Sequence, residues 1–462
     1  MHLNMTANGL LAFTCALGLW AFSVLLTKNA PSPERWTWRD ILLSFVGLIW
    51  ILFGLTFILR FCALAYNPEF FRTTQFPLWK IPAVTLTWTW IAITLYWLAF
   101  IVSYFVMTRL PLPRPSLLEN LDLLALPENL PLLDLLVLIS SCLVILSGKE
   151  FIPLALRTPF GILGGFYVIA ATTVWYYYFQ GQPLSVRNFL YLIPGALIYL
   201  FSPFRTLIFA TLLCIIVPAL KTRRWFSFTS FLLAMLALLL LTTVVNDYRR
   251  AKIKAAAHNR QEPTLTDETL GSKELNQKPS WVRLVDRFHG FDSVALTVHF
   301  VPSVFPHSRI NIFNDLLWRV IPRAVLDKKR DTHRGQKFST TIWAMGERGR
   351  VKRRPSNISL TMCADLFQIN GILLVVVGAA FYGLLVGLLE SWQRRGKSLA
   401  SCVLLVLFAV PVALGFEQEF DFAVATIIQV IIAFFFFLFL LGILGRADIP
   451  RKATSIRLTM RK

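Results

Sequence analysis

The sequence predicts an all-α membrane protein: a polytopic bundle of about 11 transmembrane helices with one long polar loop between the eighth and the ninth. Three observations predict it. The 462 residues are 56% hydrophobic and 15% charged, where soluble domains carry about 25% charged residues. Mean hydropathy is +0.61, and the apolar residues gather into stretches near the ~20 residues a spanning helix needs. The charge gathers too, since residues 247–358 hold 22 of the 46 Lys and Arg, 11 of the 25 Asp and Glu and five of the six His. Composition excludes a disordered chain, a disulfide scaffold and a coiled coil.

In chain order, apolar runs predict spans at 7–27, 41–59, 84–107, 131–147, 159–179, 188–202, 205–220, 226–246, 370–390, 399–415 and 422–444. The first has no basic residue before it and Lys28 after it, the reverse of a secretory leader, so it is expected to persist as a helix. Residues 1–246 then carry helices 1–8, residues 359–445 carry helices 9–11, and 446–462 form a basic tail. The region 188–220 is the least regular. Pro194-Gly195 interrupts its first run and Ser202-Pro203-Phe204-Arg205 separates the two, so one broken or re-entrant element competes with two spans.

Orientation follows from short loops. Lys221, Arg223 and Arg224, then Arg394, Arg395 and Lys397, then six basic residues from Arg446 onward make twelve on one side, against none in Glu417-Gln418-Glu419-Phe420-Asp421. The tail is therefore expected in the cytoplasm and 247–358 on the opposite side of the membrane. Eleven crossings put the amino terminus outside as well. A basic block so placed meets anionic lipid or phosphate and not nucleic acid.

Within the block, 247–280 is polar and nearly without aromatics, as a flexible connector would be. Residues 281–358 are expected to be helical in part. Trp281, Leu284, Val285 and Phe288 make one amphipathic stripe, with Gly290 as its stop. Phe313, Leu316, Leu317, Val320 and Ile321 make a second, closed by Pro322, with Arg319 and Arg323 at its rim and the apolar face on lipid or on the bundle. Basic runs follow at Lys328-Lys329-Arg330, His333-Arg334 and Arg348 to Arg354. A solvated face is the plain use of such runs. Beside two interfacial helices they also suit a diphosphate at the bilayer surface, because guanidinium forks grip phosphate bidentately.

No Cys-x-x-Cys pair occurs, so neither a zinc site nor a disulfide framework is expected, and the six thiols read as buried and structural. Glu417, Glu419 and Asp421 form the one acidic cluster outside, and Glu69 stands alone in the loop 60–83. A solvated turn accounts for the cluster, so no metal and no cofactor are expected.

Ile321-Pro322-Arg323-Ala324-Val325-Leu326-Asp327-Lys328-Lys329 resembles the Ile-Pro-Arg box of bacterial oligosaccharide repeat-unit polymerases, the Wzy-type O-antigen and exopolysaccharide polymerases. Ser356-Asn357-Ile358-Ser359, the triplet Asp365-Leu366-Phe367, and Gly371, Gly378 and Gly383 are similar to that family's second pattern, and Ser202-Pro203-Phe204-Arg205 falls where it has an Arg turn. The likeness covers roughly residues 200–390. Asp365 and Phe367 replace the usual Glu and Tyr, and the Pro expected before the Lys is absent.

The resemblance implies a GT-C-like glycosyltransferase that moves a growing glycan from undecaprenyl diphosphate onto a newly flipped repeat unit. A flippase and a chain-length regulator would be its partners. The leaving diphosphate would need cations, for which Arg205 and Arg323 lead, with Lys329 and Arg319 behind them. The acceptor hydroxyl would need a base. Asp365 is the candidate, just above the ninth span near the outer interface, with His333 and His307 as alternatives. The ordinary use of Asp365 is a helix N-terminal cap or an ion pair to a loop arginine. An O-antigen ligase, which shares the donor, stays open as a reading. So do a transporter, which should show internal repeats, and a membrane-anchored sensor.

Overall fold

The structure, a computed structural model, describes residues 7–28, 44–66, 81–113, 115–123, 130–147, 166–182, 186–200, 205–222, 288, 290–321, 334, 360–393, 398–416 and 418–447. Among them all regular structure is helical: α1 (Ala7–Lys28), α2 (Phe45–Tyr66), α3 (Ala83–Arg109), α4 (Asn120–Leu123), α5 (Leu130–Ser147), α6 (Phe166–Gln180), α7 (Val186–Leu200), α8 (Arg205–Thr222), α9 (Gly290–Phe300), α10 (Ile312–Val320), α11 (Met362–Gln393), α12 (Leu399–Leu414) and α13 (Phe420–Ala447). Four of the described helices, α2, α3, α11 and α13, are long and apolar enough to cross a membrane, while α1, α5, α8 and α12 hold shorter apolar stretches. The count is therefore four where the sequence predicts eleven. The run 226–246, the connector 247–280 and most of the first amphipathic stripe lie outside the described residues. The region 188–220 forms two helices, α7 and α8, with Pro194 inside the first.

Aromatic pairs set the helix directions. Trp20 stacks on Trp50 and Phe13 meets Phe61, so α1 and α2 are antiparallel. Phe53 meets Trp97 and Phe61 meets Trp90, so α2 and α3 are too. Phe381 meets Phe420 and Trp392 meets Phe435, so α11 and α13 are parallel. Gly383 and Gly387 of α11 meet Phe100 and Tyr104 of α3 in the same order, while Tyr382 meets Val412 and Gln393 meets Ser401, so α1, α3, α11 and α13 run one way and α2 and α12 run back. Residues 290–321 pack where α3 and α11 begin, called here the loop end. At the far end Glu390 accepts the Phe45 N–H at 2.8 Å and so helps to satisfy the start of α2.

The seam between α3 and α11 is the most extensive helix contact among the described residues. A Cβ on Gly383 would stand 2.3 Å from the Phe100 carbonyl oxygen, and one on Gly387 2.9 Å from that of Tyr104. Glycine at i and i+4 lets the two backbones touch, the small-residue packing that membrane helices use in place of a hydrophobic drive. This is what the glycine-punctuated stretch of the sequence encodes.

Gly371 does something else. Asn370 and Gly371 leave helical geometry, Gly371 at φ +67°, a conformation glycine adopts at no steric cost. The chain reverses there. Leu366 lies against Gly378, 2.6 Å from where its Cβ would be. Twelve residues of straight helix would hold them about 18 Å apart, so residues 362–369 fold back beside the span. The carbonyls orphaned by the break find partners in the irregular segment before α10. Ser308 N–H donates to Gln368 O, Arg309 N–H to Ile369 O, and His307 Nδ1 to Phe367 O at 3.2 Å.

Gly290 is the first residue of α9, while the stripe it was expected to close lies mostly outside the described residues. A Cβ there would stand 2.1 Å from Thr56 Cγ2, in the single π-helical turn Gly54–Leu59 of α2. The glycine is needed for close docking. The thiols also divide differently from expectation, with Cys214, Cys363 and Cys402 buried but Cys15, Cys62 and Cys142 exposed on outward helix faces.

Candidate functional site

The site is built from α10 inward. Asn311 caps this helix, its side-chain oxygen accepting the N–H groups of Phe313 and Asn314. Helical spacing puts Ile312, Asp315 and Arg319 on one face and Phe313 and Leu317 on another. The charged face turns inward: Asp315 is 3% exposed, whereas Phe313 is 68% and Leu317 62% exposed. The pull is ionic. Arg319 Nη2 lies 2.6 Å from Glu419 Oε2 and its Nε 2.5 Å from Asp421 Oδ2, with the guanidinium over the Phe422 ring. The carbonyls of Arg319 and Val320 accept from Gln429 Nε2 at 2.9 and 3.1 Å, so α13 satisfies the end of α10.

Arg334 is the hub. Its Nε and Nη2 donate to the two oxygens of Asp365, both at 2.7 Å, a bidentate pair. Nη2 also reaches Asp421 Oδ1 at 2.5 Å, and Nη1 reaches Asp315 Oδ2 at 3.1 Å. Asp365 Oδ2 further accepts the Phe420 N–H at 2.9 Å, placing a carboxylate at the amino end of α13. Two guanidinium groups and four carboxylates thus join α10, the segment of α11 before its break and the turn into α13, with Asp365 and Asp421 fully buried. Burial works against the charge on Arg334. The carboxylates of Asp365, Asp421 and Glu419 outweigh it and hold the guanidinium charged beyond its usual range.

Sequence reasoning placed four of these residues differently. Arg319 was expected at a solvated rim, yet its side chain is 11% exposed and faces the bundle, because its ion-pair partners lie there. The Glu419 and Asp421 turn, expected to be solvated, is buried for the same reason. Asp365 was expected above its span, yet the reversal at Gly371 carries it back alongside, where it is both an ion-pair partner and a cap. Arg319 and Asp365 are joined through Asp421 and Arg334.

Arg323, Lys329 and His333 lie outside the described residues. Arg205 begins α8, which packs chiefly on α6 and α12, and its side chain is also outside them. His307 lies over Gly371. Its Nδ1 must donate to the Phe367 carbonyl, so in the neutral ring Nε2 is the acceptor. Arg334 is what sequence reasoning missed. It was one cation in a basic run, and only its three carboxylate partners, distant in sequence, distinguish it.

A second buried pair, Arg60 and Asp292 at 2.6 Å, ties α2 to α9. An open apolar groove of about 580 Å³ runs between α1 and α3, lined by Leu11, Cys15, Trp88 and Ile91. It shares no residue with the ionic network. Among the described residues no three His, Cys, Asp or Glu side chains converge as metal ligands.

Residues 182–445, more than half of the chain, match a family described as a domain of unknown function, DUF8712. The chain belongs to that family. The DUF8712 region takes in α7 to α13, and with them every member of the ionic network, while α1 to α6 precede it. No curated protein and no solved structure matches the chain.

Proposed function

We propose that this DUF8712 protein is a polytopic glycosyltransferase of the bacterial inner membrane, polymerising oligosaccharide repeat units carried on undecaprenyl diphosphate. In this reading it has eleven spans, both the amino terminus and the loop end face the periplasm, and the basic tail is cytoplasmic. The likeness of Ile321-Pro322-Arg323 and Asp365-Leu366-Phe367 to the polymerase boxes supports it. The observation that carries it is that cations flanking the first box and the acid of the second meet in one network, Arg319 and Arg334 with Asp365.

The reaction breaks the bond between the anomeric carbon of the growing glycan and the diphosphate oxygen. The diphosphate leaves with the electron pair. The acceptor hydroxyl oxygen forms the new glycosidic bond and gives up its proton to a base, Asp365. Arg323, Arg319, Arg205 and Lys329 stabilise the charge that develops on the diphosphate. Arg334 links the two roles. Its fork serves a phosphate as well as a carboxylate, so exchange of Asp365 for the arriving diphosphate frees the carboxylate to accept the proton. His333 and His307 are alternative bases.

Deleting the gene and resolving the surface glycan by size tests this. Loss of the ladder down to a single repeat is the expected result, and an unchanged ladder overturns the reading. Long polymer stranded on its lipid carrier would reassign the protein as a ligase.

A further inference from the structure

Helix rise sets depths within the bundle, at ~1.5 Å per residue. Met362 Sδ accepts from the Tyr96 hydroxyl, and Tyr96 is thirteen residues into α3, so Met362 lies about 20 Å from the loop end of that helix. Gly290 docks on Thr56, ten residues inside the end of α2 at Tyr66, or about 15 Å. Leu366 packs on Gly378, seven residues beyond the break, or about 10 Å. The end of α10 is capped by Gln429, eight residues beyond Asp421, or about 12 Å.

Apolar side chains continue outward above these levels. Val84 and Trp88 on α3, and Leu373 and Val377 on α11, are 49–69% exposed and lie between the network and the loop end. On α13, Phe422, Ile432 and Phe436 extend the outward face of Phe313 and Leu317. The main ion pair and the interrupted helix ends below them find internal partners: Arg60 in Asp292, the end of α10 in Gln429, and the broken end of residues 362–369 in residues 307–309. That is the condition for irregular backbone at membrane depth.

We infer that residues 290–321 and 360–369 form a re-entrant unit of three short helices set into the loop-end leaflet, with acyl chains covering the Phe313 and Leu317 face of α10, so that the Arg319–Asp421–Arg334–Asp365 network is a charged site inside the hydrocarbon layer. Helix α9 rises from mid-depth, α10 descends beside α13, and 362–369 rises again to the tip at Gly371. Charged groups at such depth are costly and mark functional paths. A ligand reaching them would arrive laterally with its charge on a lipid, between α10 and α13, where Arg319 overlies Phe422. The burial stands apart from the polymerase reading.

The test uses the full chain in liposomes, with Cys15, Cys62 and Cys142 changed to Ser and one bimane-labelled cysteine at Leu317→Cys or, as the control, at Val304→Cys, in the turn after α9 where Val304 is 48% exposed. Phosphatidylcholine brominated along its acyl chains should quench bimane at 317 severalfold more than iodide does, and the order should reverse at 304. If 317 fails to yield monodisperse protein, Phe313→Cys takes its place with the same expectation. Iodide quenching at 317 or 313 equal to that at 304 would overturn the inference. Because the readout is optical, loss of glycan polymerisation in a variant does not alter it.

Discussion

Two junctions hold α11, by opposite physics. Along its span, Gly383 and Gly387 let it lie directly on the α3 backbone, an apolar seam of many small contacts. In its first turn, before the break, Asp365 is held by Arg334 and by the start of α13. A seam of close contacts degrades in proportion to the volume forced into it. An ionic junction is cooperative, since each buried charge is tolerable only while its partners remain. The first suits a permanent frame, and the second suits a place where an anion can substitute for a carboxylate.

The largest effect should come from breaking the ionic side. Arg334→Met leaves Asp365, Asp421 and Asp315 without their shared cation, a loss of about 3–5 kcal/mol. Thermal unfolding of the detergent-solubilised protein should show it. Arg334→Lys should recover only part of the loss, because an ammonium keeps the charge without the fork. Equal melting of Arg334→Met and the parent would mean the network contributes nothing to stability.

On the frame side, Gly383→Ala drives a methyl toward the Phe100 carbonyl at 2.3 Å. The helices must separate, at about 1–3 kcal/mol. The same melting assay should rank it below Arg334→Met, and the reverse ranking would break the contrast drawn here. The smallest change expected is Tyr382→Phe, which removes one hydroxyl donating to Val412 O at 2.7 Å and should cost about 1 kcal/mol. An effect as large as that of Gly383→Ala would show that polar bonds also carry the frame.

Much of the scaffold is legible in the chain. The apolar runs that predict spans at 41–59, 84–107, 370–390 and 422–444 coincide with the four helices long enough to cross. The amphipathic stripe from Phe313 to Val320 is a helix, and the glycine pattern marks the α11 seam. Gly290 and Gly371 were harder. Both signal a break in local pattern, but whether a glycine stops a helix, starts one or permits a contact depends on the neighbour it meets, and the neighbours are Thr56 and His307.

By itself, then, the order of side chains determined that the molecule is helical, apolar and basic in one block, because hydrophobic period and charge are local properties. It also named Asp365 and Arg319. Only the tertiary structure decided that these two belong to one network, that Arg334 is its centre, and that an apparently solvated acidic turn is buried. Ion pairing joins groups 31 and 87 residues apart, and a reversal at one positive-φ glycine changes the depth of everything before it; neither leaves a periodic trace in the chain.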